Sequence, residues 1–233
     1  MLLDRPWDAV GRLGATLSRG EKTRASRFHF PLLRSRFIVA HAALRSILAS
    51  YCSTSATAIR FATEQYGKPV LAGVGGVSSH GSSPPVEFSL SHSDGCALVA
   101  VTHRRAVGVD VERISAEIDD ATLARRYFAP EERESLERCP PPERTGLFFR
   151  YWVGKESYIK ATGFGLLHQL DQFVVDFSAG RIVDVGARPS SRRTHLGWHV
   201  QELGPPQGYV AAVTVKDIST PVTRLAWSPQ PLA

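Results

Sequence analysis

Apolar residues recur at three- and four-residue steps over positions 20–50, at Phe28, Phe30, Leu33, Phe37, Ala40, Leu44 and Leu48, with arginines between them. That period predicts amphipathic helix, which Pro31 either kinks or starts afresh. Beyond 85 the pattern shortens to that of strand. Val86–Ser91 and Cys96–Thr102 predict two strands joined through Ser93-Asp94-Gly95, a turn signal, and Ala106–Glu112 predicts a third. Helical spacing returns over 117–139, interrupted at Ala129-Pro130-Glu131-Glu132, where a proline followed by acids suits a helix start. Cys139-Pro140-Pro141-Pro142 breaks the chain. A long helix then runs from Glu143 to the region of Ala161 and ends at Gly163, a residue suited to a left-handed cap. The remainder predicts strands at Phe173–Phe177, Arg181–Val185, Gly197–Glu202 and Tyr209–Val215, while the Gly-, Ser- and Pro-rich stretch Gly73–Pro85 predicts an exposed loop.

Each half of the chain therefore places a long helix before strands. Ala97-Leu98-Val99-Ala100-Val101-Thr102 also echoes Tyr209-Val210-Ala211-Ala212-Val213-Thr214, although apolar strands resemble one another by chance. The expected fold class is α+β, a long amphipathic helix packed on an antiparallel sheet in each half, with the halves divided as 1–105 and 106–233. Two such halves packed face to face fit a length of 233 residues.

Composition narrows the class. With 43% hydrophobic and 21% charged residues the chain matches an ordinary globular protein, and no apolar run reaches the roughly 20 residues that span a bilayer. The N-terminus lacks the basic-then-apolar pattern of a secretory signal. Cys52, Cys96 and Cys139 stand far apart with no CxxC pair, which predicts reduced thiols in a cytoplasmic protein. Charge is uneven: residues 1–70 hold 11 Lys/Arg against 4 Asp/Glu, and residues 71–233 hold 17 against 18. A basic N-terminal third points to an anionic partner or to a plain solvated surface. Only five of the 28 basic residues are lysines, and Lys68, Lys155 and Lys160 all fall within the motifs described next.

In Gly108-Val109-Asp110-Val111-Glu112 the two carboxylates stand at i and i+2 of a strand, so they share one face while the valines point to the other. Two acids on one face repel unless a cation lies between them, and hard oxygen ligands suit Mg²⁺; the same spacing also describes the polar face of an ordinary strand. In Trp152-Val153-Gly154-Lys155-Glu156-Ser157-Tyr158-Ile159-Lys160-Ala161-Thr162-Gly163, Glu156 and Lys160 lie one turn apart on one helix face, either as functional groups or as a surface ion pair. Trp152, Ile159 and Tyr158 are expected as core anchors. Phe88-Ser89-Leu90-Ser91-His92-Ser93 leads from strand to turn with hydroxyls and an imidazole that suit a phosphate pocket, and Tyr66-Gly67-Lys68-Pro69 is a turn carrying one cation.

In this order the four motifs resemble the Sfp-type phosphopantetheinyl transferases, over about Glu21 to Thr214. The resemblance implies a pseudo-dimer of two similar α+β halves with coenzyme A in the cleft between them. It implies Mg²⁺ on Asp110, Glu112 and Glu156, with Glu156 a candidate base for the incoming serine. Lys160 corresponds to the lysine at the pyrophosphate, and Ser91 and His92 to the 3′-phosphate end. Gly67, Lys68 and Pro69 correspond to the segment near adenine and phosphate. Arg24, with Arg27, sits near the family's basic N-terminal positions, and Arg36 corresponds to a phosphate-contacting arginine. Phe37 stands where some members carry a hydroxyl. The implied reaction transfers the 4′-phosphopantetheine of coenzyme A to a serine of an apo carrier protein and releases 3′,5′-ADP. The expected partner is an acidic carrier protein and the expected state a monomer, with no nucleic acid and no membrane involved. Competing readings are a nucleic-acid binder, against which aromatic residues interleave with basic ones only at Arg27-Phe28 and Arg36-Phe37 and no RNP, KH or zinc pattern appears, an idle carrier-protein binder, and a Mg²⁺ phosphoesterase that merely shares the D-x-E.

Overall fold

The computed structural model describes residues 1–73, 85–165, 169–185, 195–217 and 221–229. The loop expected at Gly73–Pro85 therefore lies almost wholly outside the described residues. Three helices open the chain: α1 (Trp7–Gly14), α2 (Arg19–Ser26) and α3 (Pro31–Tyr51). Pro31 occupies the first turn of α3, so the proline divides the expected helix in two. The helix α1 precedes the first periodic stretch that the sequence pattern marked. Ser18 begins α2 with a reciprocal cap, its hydroxyl accepting from the Glu21 amide while the Glu21 carboxylate accepts from the Ser18 amide.

Two hairpins follow, β1 (Phe61–Thr63) with β2 (Pro69–Leu71), and β3 (Val86–Ser93) with β4 (Cys96–His103), both antiparallel. Asp94 turns the second hairpin at φ +49°, and Gly67 turns the first at φ +92°. The helix α3 buries Phe37, Ala40, Leu44 and Leu48, and the last two pack with Val86 and Phe88 of β3. Arg45 is buried as well: its Nε donates to Glu21 Oε2 at 2.8 Å, and Nη1 donates to the carbonyls of Ala56 and Ile59 at 2.9 and 3.0 Å.

The second half opens with β5 (Val107–Arg113), followed by α4 (Asp120–Tyr127), α5 (Pro130–Arg138) and α6 (Pro141–Thr162). Strands β6 (Phe173–Asp176), β7 (Arg181–Asp184), β8 (His195–Leu203) and β9 (Tyr209–Lys216) complete an antiparallel sheet of order β5-β9-β8-β7-β6. As expected, Gly163 ends α6 in the left-handed conformation, at φ +75°. The helix α6 lies across β5 and β9, and Tyr158, Ile159 and Val153 sink into a core with Phe173, Val175, Ile182 and Val200. Val109 and Val111 are fully buried, as their alternation with the carboxylates predicts.

Strands β3 and β5 run side by side in parallel without a backbone ladder. The amides of Val109, Val111 and Arg113 donate instead to the hydroxyls of Ser89, Ser91 and Ser93, at 3.1, 3.4 and 3.2 Å. The division expected at 105/106 falls between β4 and β5. The C-terminal segment crosses it, since Trp227 packs against the Leu3, Val10 and Val39 cluster, while Val222 stays on its own half against Val107 and Val109.

Lys155, one of the motif lysines, carries a structural charge. It is 0% exposed and pairs with Glu132, itself 1% exposed, at 2.7 Å. Its remaining protons go to the carbonyls of Leu170 and Phe173 at 2.7 and 2.8 Å, while Glu132 also accepts from the amides of Ala129 and Val175. Burial pushes the Lys155 amine down and the Glu132 carboxyl up, and each opposes the other's shift. Truncation of either partner strands a charge in the core. Lys155→Met is therefore expected to cost about 3–5 kcal/mol in urea denaturation. The double variant Lys155→Met/Glu132→Gln, which keeps an acceptor but no charge, should be the more stable of the two.

Candidate active site

Gly108 determines how the site is assembled. A Cβ at this position would stand 2.0 Å from the Ser157 carbonyl oxygen and 2.4 Å from the Ala161 amide nitrogen, so only glycine lets α6 lie this close to β5. The close approach carries Glu156 and Lys160, on one face of α6, to the strand carboxylates. Lys160 Nζ donates to Asp110 Oδ1 at 2.6 Å and to Ser91 Oγ at 2.9 Å. Ser91 in turn donates to the same Asp110 oxygen at 2.7 Å, and Ser93 donates to Glu112 Oε2 at 2.6 Å. Glu156 and Lys160 therefore do not form a surface ion pair with one another; Lys160 is committed to Asp110.

Asp110 is 2% exposed, and its Oδ2 is buried with no partner. Burial, the nearby Asp110 charge and Glu112 all push the Glu156 carboxyl up, against the opposing pull of Lys160. Burial likewise raises Glu112, with Asp110 adding to the shift and the Ser93 hydrogen bond opposing it. Three acids thus gather near a single lysine. Among the described residues no three His, Cys, Asp or Glu groups are drawn together as a ready metal cluster. The donor set nevertheless suits a hard cation: carboxylate oxygens, an orphaned buried oxygen and a local excess of negative charge.

These groups form one wall of a cavity of about 600 Å³ that draws on both halves of the chain. Arg24, Gly67, Pro69, Ser91, His92, Asp110, Glu112, Glu156 and Lys160 all line it. Two predicted residues do not. Arg36 is held by Asp4 (Nε to Oδ1, 2.7 Å) and by Asp94 (Nη1 to Oδ1, 2.6 Å). Lys68 donates to the Ala161 carbonyl at 3.0 Å, capping the end of α6, and burial lowers its amine despite the charges of Glu87 and Glu64. Sequence reasoning missed Glu21, His41 and Trp152, which also line the cavity. Trp152, expected in the core, is half-buried between Phe148, Tyr127 and the opening. The Ser18-x-x-Glu21 capping signature was the available signal for Glu21.

Phe37 takes no place in the wall. Its buried ring lies 4.0 Å from the His41 ring, centroid to centroid, and the Arg24 guanidinium stands 5.3 Å from its own centroid. Phe37 thus supports two cavity residues in place of touching a ligand. Partial burial lowers the His92 imidazole, helped by the charges of His41, Lys160 and Arg24.

A family model of the 4'-phosphopantetheinyl transferase superfamily matches residues 106–214. The 4'-phosphopantetheinyl transferase HetI of a Nostoc species is 37% identical over 213 residues, 91% of this chain and 84% of that protein. The chain belongs to the 4'-phosphopantetheinyl transferase superfamily. Sfp of Bacillus subtilis, another 4'-phosphopantetheinyl transferase, is 29% identical over 178 residues, 74% of this chain and 73% of its own. Among solved structures, a Thermotoga maritima holo-[acyl-carrier-protein] synthase shares 18% identity at a TM-score of 0.34, over 48% of this chain and 62% of that one. The family match runs from β5 to β9 and so contains Asp110, Glu112, Glu156 and Lys160.

In this transferase Glu21 joins the cavity wall to the helices beneath it. Its Oε2 accepts from the Ser18 amide and from Arg45, and Oε1 lies 3.4 Å from His41 Nδ1. Burial opposes ionisation, but hydrogen bonds from His41 and Ser18, with the Arg45 charge, lower the carboxyl from 4.5 to about 2. Its folded value lies below its unfolded one, so this carboxylate contributes stability that is fully present above pH 4.5 and lost as pH falls toward 2. Melting temperature followed across that window should fall for the wild type, and Glu21→Gln should flatten this limb.

Proposed function

We propose that this transferase moves 4′-phosphopantetheine from coenzyme A to a serine of an apo carrier protein, releasing 3′,5′-ADP. The observation that carries the residue assignment is the buried, unpartnered Asp110 Oδ2 beside Glu112 and Glu156, facing a single lysine. Asp110, Glu112 and Glu156 would hold Mg²⁺, which when bound neutralises pyrophosphate charge. The carrier's serine oxygen forms a bond to the β-phosphorus as the bond to the bridging oxygen of 3′,5′-ADP breaks. The serine proton passes to Glu156, the helix carboxylate beside the strand acids. Lys160, positioned by Ser91, offsets charge on the leaving phosphate. Arg24 and His92 receive the 3′-phosphate end, and the Gly67–Pro69 turn lies along the adenosine. The nucleophile belongs to the partner, so no activated serine or cysteine is required in this chain.

The same reading takes residues 1–105 and 106–233 as related halves, with the substrate in the cavity between them. Its support is the recurrence of a long helix packed on antiparallel strands, α3 on β3 and β4, then α6 on β5 and β9. A cavity walled by both halves of one chain is complete in a monomer. Among the described residues no helix is long and apolar enough to cross a membrane.

Incubation with coenzyme A, Mg²⁺ and apo carrier protein should give the phosphopantetheine mass gain on the carrier. Release of 3′,5′-ADP without carrier would instead identify a phosphoesterase. Asp110→Ala should abolish transfer, and Glu156→Gln and Lys160→Ala should each lose orders of magnitude in rate. Glu156→Gln should do so with little change in melting temperature, whereas Lys160→Ala also takes the ion pair from buried Asp110 and should lower it. Near wild-type turnover by Asp110→Ala at saturating Mg²⁺ would overturn the metal assignment.

The basic N-terminal third implies an acidic carrier, and complementary charge acts mainly on encounter. Added salt should therefore lower kcat/KM for carrier protein. Arg19 and Arg34 are exposed and lie outside the cavity wall, whereas Arg12 is paired with Asp8. Reversing Arg19 and Arg34 to Glu should raise KM for the carrier and leave KM for coenzyme A unchanged. Unchanged carrier kinetics and salt dependence would assign the surplus to plain solvation.

A further inference from the structure

The serines of β3 do more than replace a backbone ladder. Each accepts the amide twenty residues ahead of it on β5, and at Ser91 and Ser93 the proton is given to the side chain nineteen ahead. Ser91 accepts from Val111 and donates to Asp110; Ser93 accepts from Arg113 and donates to Glu112. Ser89 accepts from Val109 in the same way, but the residue nineteen ahead is Gly108, which offers no carboxylate. One hydroxyl has a single proton and two acceptor sites. At Ser91 all three are used, the third by Lys160. At Ser93 the proton has one recipient among the described residues, the Glu112 oxygen at 2.6 Å.

We infer that Ser93 is a positioning residue for Glu112: its hydroxyl, anchored to the Arg113 amide, fixes which Glu112 oxygen is free to face a bound cation. With Oε2 engaged by Ser93, Oε1 remains for the cleft. Ser91 does the same for Asp110, leaving Oδ2 free. A carboxylate oriented this way loses less rotamer freedom on binding a cation, as outer hydrogen bonds do for metal ligands generally. The inference rests on the reading that Asp110, Glu112 and Glu156 hold a divalent cation.

Mn²⁺ serves as the probe, its binding followed by loss of the free-ion EPR signal on enzyme with coenzyme A bound and no carrier protein present. Ser93→Ala should weaken Mn²⁺ binding by about tenfold or more. Ser93→Thr, which keeps the hydroxyl, should bind as wild type, whereas Ser93→Val, of the same shape without it, should behave as Ser93→Ala. Ser89→Ala removes an equivalent seam bond that faces no carboxylate, and should lower melting temperature without changing Mn²⁺ binding. Glu112→Gln is the control for the underlying reading. If it weakens Mn²⁺ binding and Ser93→Ala does not, the positioning role is overturned and the carboxylate site stands. If Ser89→Ala and Ser93→Ala weaken binding equally, the hydroxyl row is only structural and the inference falls. If Glu112→Gln binds Mn²⁺ as wild type, the metal reading fails and the inference with it.

Discussion

The arrangement of this transferase depends on how closely helix α6 lies against strand β5. With no Cβ at Gly108, the helix backbone rests against the strand backbone, and a buried hydroxyl pair, Ser157 with Thr214 at 2.7 Å, holds the helix to the adjacent strand. Further along the same stripe of the helix Gly154 plays the matching part, since a Cβ there would stand 2.7 Å from Val175 and 2.9 Å from Phe177. Small residues along this stripe let α6 sit close over the sheet of the second half. The charged groups it carries are consequently brought within reach of the strand carboxylates.

Two lysines on that helix, five residues apart, show opposite ways of handling charge. Lys155 and Glu132 satisfy each other, and backbone carbonyls and amides take up their remaining protons and lone pairs, so the pair is closed and inert. Lys160 and Asp110 are close, yet the second Asp110 oxygen has no partner and two further carboxylates stand near with raised affinity for protons. The first arrangement belongs to folding. The second leaves an electrostatic demand that a positively charged ligand can meet, which is the departure from local satisfaction expected of a functional site.

Much of this was legible in the sequence because local periodicity encodes it. The strand alternation of Gly108–Glu112 placed both carboxylates on one face, and the cap residues Pro31, Pro130 and Gly163 took the expected positions. The short elements were not legible: α1 and the β1–β2 hairpin are too brief for their period to stand out, and neighbours define them. Residues whose work is done across the fold were the hardest. Lys155 and Lys160 look alike in sequence, and only the burial of Glu132 against one of them separates their roles. Arg36 and Lys68 bear the charge a phosphate needs, but Asp4, Asp94 and the Ala161 carbonyl engage them first. Trp152 has the composition of a core residue and the position of a rim residue.

The hydroxyl seam between β3 and β5 also has a symmetry that the fold must break. Serines at every second position would meet amides equally well if one half slid along the other by two residues, because such a shift keeps each side chain on its own face. The seam is therefore degenerate, and the contacts that choose among its settings lie at its ends. At one end the Tyr209 hydroxyl accepts the Gly95 amide and Arg113 pairs with Asp94; at the other, Lys68 grips the last turn of α6. None of these residues needs to touch a substrate. Together they act as stops on a vernier, selecting the one setting in which serine, carboxylate and lysine come into line.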